Sequence, residues 1–172
     1  MKRLSFALVL LVAVSLSAQT VDVAPATPAA KQVRSLVDGG SFDLRNVYAP
    51  AGYALVWSRG GRPTAQAQAV IAQLETASAK GLDATDYAGG QWATRVANLR
   101  GDAALARFDV DLTSAALQYA SDLRVGRVNP REVDFDFDLD AKKLYTPALI
   151  QQIATSNDPA AVFASVDPKH ED

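Results

Sequence analysis

Cysteine is absent from the 172-residue chain. No disulfide therefore holds the fold together, and no thiolate is at hand as nucleophile or metal ligand, so apolar burial must supply the stability. Histidine occurs once, as His170 in the polar run "PKHED". Nothing packed stands beside it to orient an imidazole, and a Ser-His-Asp arrangement is not expected. An excess of one charge is also missing. Lys+Arg 17 and Asp+Glu 19 are interspersed to a net charge of -2, which leaves no basic stripe for a phosphate backbone and excludes nucleic acid as a partner. No repeat of solenoid period is present.

Long apolar runs are missing too, except at the start. "MKRLSFALVLLVAVSLSAQT" has two cations, an apolar run from Leu4 to Leu16 and small residues at Ser15, Ser17 and Ala18. This is the pattern of a secretory signal, assigned to residues 1–19. The run falls short of the roughly 20 residues that a spanning helix needs, so no stable membrane span is expected after signal removal. A periplasmic or secreted location is expected instead. Residues 20–30, "TVDVAPATPAA", are rich in Ala, Pro and Thr without a period and read as a flexible tether. The remaining 31–172, in a chain that is 49% hydrophobic, suit one domain with one core.

What is present there is helical spacing. Val33, Leu36 and Val37 share a helix face, with Gly39 as its left-handed stop. Ser41 can cap a short helix carrying Phe42, Leu44, Val47 and Tyr48, which Pro50 and Gly52 break. Tyr53, Leu55 and Trp57 alternate as a short extended segment. Thr64 can cap a helix through Ala67, Val70, Ile71, Leu74 and Ala77, with Gly81 as the stop. Ala84 to Tyr87 adds a helical turn, after which Trp92, Val96 and Leu99 resume the period. The longest pattern runs through Leu105, Phe108, Leu112, Ala115, Ala116, Tyr119 and Leu123, with Asp102 as cap and Gly126 as stop. Helices near Pro147 to Ser156 and Pro159 to Val166 complete an all-α, compact multi-helix domain with one short extended segment.

"LRNVYAPAGYALVWSRGGRPTAQAQAVIAQLETASAKGLDATDY", followed by "ARFDVDLTSAALQYASDLRVGRVNP", resembles the helical scaffold domain that precedes the catalytic domain in large L,D-transpeptidases of the YcbB type. The resemblance runs from about Leu44 to Val166 and rests on Tyr48 and Trp57 before a Gly-rich turn, on "GLDATDY" and on "DLTSAALQYASDLRVGRVNP". It implies the fold, an envelope location and association with cell-wall enzymes or peptidoglycan. Such proteins also carry a peptidoglycan-binding segment and a Ser-His-Gly-Cys nucleophile motif, neither of which stands in these residues. The resemblance therefore implies a non-catalytic scaffold without a cofactor. The alternative expectation is a truncated or decayed transpeptidase, because the sequence stops at "SVDPKHED" where the family continues.

Other constellations have local explanations. Asp134, Asp136, Asp138 and Asp140 open like a calcium loop, but Leu139 stands where a Gly and Tyr145 where a Glu is required. A strand with Phe135, Phe137 and Leu139 inward accounts for the alternation without a metal. Asp109 and Asp111, two apart on a helix, face different ways and form a poor acid–nucleophile pair for a carboxylate murein hydrolase. "SRGGRPT" lacks the Lys-Ser/Thr of a phosphate loop. Arg124 and Arg127 suit a helix end by their charge, and Trp57 and Trp92 suit either a saccharide groove or the core. Arg124, Arg127 and Trp57 are the candidate surface contacts, the oligomeric state being left open.

Overall fold

A computed structural model of the chain describes residues 23–40, 42–125 and 146–166. The first helix, α1, is Pro28–Val37: Thr27 Oγ1 accepts from Ala30 N at 3.1 Å and Pro28 takes the first helical turn, where a missing N–H costs nothing. The last three residues of the tether expected for 20–30, Pro28 to Ala30, thus belong to α1 instead. Ala29 and Ala30 are buried with Val33 and Val37 on the inner face of α1, because Thr-Pro opens a helix as readily as it interrupts one. Gly39, the expected stop, does not adopt a left-handed conformation; the end is made by Asp38 N donating to Arg34 O at 2.9 Å.

Helix α2, Phe42–Tyr48, runs into a single 3₁₀ turn, Ala49–Ala51, that Gly52 ends with φ +62°. At this glycine a Cβ would stand 3.3 Å from the Val23 side chain, so the segment before α1 lies directly across it, held by Val23 N donating to Ala49 O at 3.2 Å. Tyr53 follows with φ +60°, a conformation that costs an aromatic residue free energy and survives only where its surroundings impose it. They do: the side chain is fully buried, its N–H donates to Tyr48 O at 2.9 Å, and the Arg34 guanidinium stands over its ring at 5.4 Å.

The expected extended segment is a hairpin placed slightly later, β1 Ser58–Arg59 paired antiparallel with β2 Arg62–Pro63. Gly60 and Gly61, at φ +56° and +76°, supply the two positive angles of a tight primed turn. Thr64 Oγ1 then accepts from Ala67 N at 3.1 Å to start α3, Ala65–Glu75. Two further 3₁₀ turns, Ala77–Lys80 ended by left-handed Gly81 and Ala84–Tyr87 capped by Asp83, lead to α4, Trp92–Ala97. Helix α5 is Gly101–Val125, with Asp102 in its first turn rather than at its cap, and α6 Thr146–Thr155 and α7 Pro159–Val166 follow.

Helix α5 is the centre. Helices α1, α2, α3, α6 and α7 all pack against it, and its middle is buried nearly all round, from Ala106 and Phe108 through Leu112, Ala116 and Tyr119 to Leu123. A wide apolar face of this kind places the helix against the core, while one polar strip through Arg107, Ser114 and Gln118 stays exposed. Edge-to-face aromatic pairs fasten its C-terminal half: Tyr119 meets Tyr87 at 5.3 Å and Phe163 at 5.1 Å between ring centroids. Trp92 meets Phe108 at 6.1 Å. The all-α, compact multi-helix domain expected from the spacing is the architecture observed.

Candidate functional site

Two acidic side chains of α5 organise the polar chemistry, one inside and one outside. Asp109 is fully buried. Its Oδ1 accepts from Val56 N at 2.8 Å and from the Tyr48 hydroxyl at 2.9 Å, while its Oδ2 accepts from Trp57 N at 2.8 Å. One turn on, Thr113 Oγ1 accepts from the Trp57 indole Nε1 at 2.8 Å and lies 2.6 Å from the Tyr48 hydroxyl oxygen. With Tyr48 donating to Asp109, the Thr113 hydroxyl has that phenol oxygen and the Asp109 carbonyl, 3.0 Å away, as its acceptors. The cluster satisfies two loop amides that no helix or sheet would otherwise take up.

Burial moves both titratable members. It draws the Asp109 carboxyl up to about 6, against the opposing pull of the Val56 and Trp57 amides, the Tyr48 hydroxyl and the Arg59 charge. Burial, reinforced by the Asp109 charge, holds the Tyr48 phenol well above its ordinary value. The carboxylate spends its acceptors on holding the 52–57 loop and has no open face toward a substrate.

Trp57 belongs to this cluster, which corrects its reading as a surface contact: it is 0% exposed. An indole whose N–H and main-chain N–H both find acceptors in the core is driven inside by its large apolar area. Trp92 is likewise buried, its Nε1 donating to Tyr87 O at 2.9 Å. Arg124 is half-buried in the last turn of α5. Arg127, the Asp134–Asp140 alternation, His170, Ser41 and Gly126 lie outside the described residues, and so does the calcium question.

Asp111 points the opposite way, as two residues of a helix must. Its Oδ2 receives Arg95 Nη1 at 2.7 Å and its Oδ1 lies 3.1 Å from Arg107 Nε, which ties α4 to α5 across the surface. Arg95 is held on two further sides, by Gln91 Oε1 at 3.2 Å and by the Trp92 ring, 4.9 Å below its guanidinium. Spacing alone does not reveal this bridge, because Arg95 lies on a different helix; only the Arg107–Asp111 separation of four residues is legible.

Grooves open on both sides of the bridge. One, of about 230 Å³, is lined by Asp86, Tyr87, Ser114 and Gln118 and is mainly polar; the other, of about 250 Å³, is floored by Ala104 and Phe108 and is mainly apolar. Both include Arg95, Arg107 and Asp111 in their walls. A third groove, of about 300 Å³, lies between Val47, Pro50 and Ala51 on one side and Pro147 and Ala148 on α6. Among the described residues no group of three or more His, Asp or Glu side chains is placed to hold a metal ion, and no helix is long and apolar enough to cross a membrane.

Comparison with protein families matches residues 43–172 to the Scaffold domain. Neither the search of curated proteins nor that of solved structures yields a match. The matched span takes in α2 with its turn, the hairpin, the Asp109 cluster and every helix that follows, well over half of the sequence. By that span, the chain belongs to the Scaffold domain family.

Proposed function

We propose that this chain is an exported, non-catalytic scaffold that works by surface contact with cell-wall L,D-transpeptidase systems. The observation that carries the reading is the family match over residues 43–172 in a sequence with no cysteine: a transpeptidase of the kind it resembles attacks through a thiolate, and these residues supply none. The resemblance to YcbB-type enzymes, carried by "GLDATDY" and "DLTSAALQYASDLRVGRVNP", names the system, and the cationic, apolar leader supports export. The engagement of Asp109 with the 52–57 loop supports a structural rather than a chemical use of this fully buried carboxylate. Recovery of the tagged chain from envelope fractions tests the proposal. Enrichment of an L,D-transpeptidase or of murein fragments is expected, and a chain recovered from the cytosol without either refutes it. Release of soluble fragments from purified sacculi would instead make the chain a hydrolase.

A further inference from the structure

On its apolar side, where Arg95, Arg107 and Asp111 are the charged lining residues, the bridge between α4 and α5 carries more positive charge than it uses, whereas on the polar side Asp86 makes up the difference. Asp111 neutralises one guanidinium, yet two, Arg95 and Arg107, converge on it. Arg95 is fully engaged with Asp111, Gln91 and the Trp92 face. Arg107 is not: Asp111 holds it through Nε alone, its side chain is 68% exposed, and among the described residues nothing accepts from its two terminal amino groups. A guanidinium gripped at Nε and open at its outer edge is a planar fork set in orientation before any ligand arrives, which is the geometry that binds a carboxylate through two parallel hydrogen bonds. Beside it lies the mainly apolar groove over Ala104 and Phe108, of about 250 Å³, large enough for one aliphatic or aromatic side chain.

We infer that Arg107, with the groove over Ala104 and Phe108, is a docking point for a partner protein segment in which an Asp or Glu stands next to a Phe or Leu. The choice of a protein partner rests on the scaffold reading above; the charge and the apolar floor do not. The spare positive charge selects an acidic segment over a basic one, and the apolar floor selects an apolar neighbour over a polar one. Groove residues Ala104, Arg107, Asp111, Ser114 and Gln118 recur along α5 at three- and four-residue steps, and the polar groove that continues this strip carries Asp86, so the acidic residue of the segment is seated at Arg107 on the apolar side.

The experiment is a fluorescence-anisotropy titration of the full chain with a capped, labelled hexapeptide that alternates Asp with Phe and Leu. Saturable binding that weakens with added salt is expected. Arg107→Glu should weaken it at least tenfold and Arg107→Lys less, because an ammonium does not reproduce the fork; Lys31→Glu, an exposed reversal on α1, should leave it unchanged. Since Arg107 is exposed, thermal melts of the variants should overlay the wild type. The inference falls if the Asp→Asn or the Phe/Leu→Ser version of the peptide binds equally well, or if Arg107→Glu binds like the wild type. It falls equally if that substitution abolishes self-association in sedimentation, which would give the groove to a second copy. Envelope recovery of a transpeptidase by wild type and Arg107→Glu alike would overturn the groove and leave the scaffold reading standing.

Discussion

Asp109 and Asp111 sit two residues apart on one helix and do opposite work. The first is buried and fixes a loop from the inside; the second is at the surface and fixes a neighbouring helix from the outside. The same carboxylate chemistry is thus worth different amounts. A buried acceptor facing three donors leaves those donors orphaned when removed, whereas a solvated ion pair is replaced by water at little cost. Depth, not residue type, decides which aspartate holds the fold.

Four substitutions or conditions sharpen that contrast. Asp109→Ala should have the largest effect, a loss of about 3 to 4 kcal/mol in chemical unfolding, because Val56 N, Trp57 N and the Tyr48 hydroxyl all lose their acceptor. Wild-type stability restored by that change would mean that the cluster does not hold the loop. Next comes pH. The folded Asp109 carboxyl titrates near 6, above its ordinary 3.8, so the folded state binds the extra proton and this group's contribution is complete below pH 4. It fades as pH rises through 6, by about 3 kcal/mol in all. Unfolding curves of wild type and Asp109→Asn between pH 4 and 7 should differ by this slope, which the variant lacks. Thr113→Val should cost about 1 to 2 kcal/mol by stranding the Trp57 indole N–H, visible as a red-shifted tryptophan emission if the ring moves toward water. Asp111→Asn should cost under about 1 kcal/mol. A loss as large as that of Asp109→Ala would erase the distinction between the two positions.

Much of the fold was legible because its punctuation is local. Thr64 before an apolar period, Gly81 after a turn and Pro159 at a helix start each act within a few residues, and each stands where the spacing puts it. The start of α1 was equally available in Thr27-Pro28 and was hidden by composition: alanine and proline suggested a tether, although proline after a capping threonine is a helix opening. The Asp109 cluster was legible only in part. That Asp109 and Asp111 face apart follows from helix geometry, but the partners of Asp109 lie 52 to 61 residues away, beyond any local pattern. Trp57 was misplaced for the same reason, its indole N–H being satisfied by a threonine 56 residues on. A buried tryptophan needs an acceptor for its indole N–H, and Asp109 with Thr113, four apart on the longest described helix, supplies the acceptors here.

Helix α5 has 25 residues, about 37 Å end to end, and five other helices lean on it. It cannot bend or shorten without disturbing all of them. The packing therefore holds the two ends of this helix, near Gly101 and near Val125, at a separation set by its rise per residue.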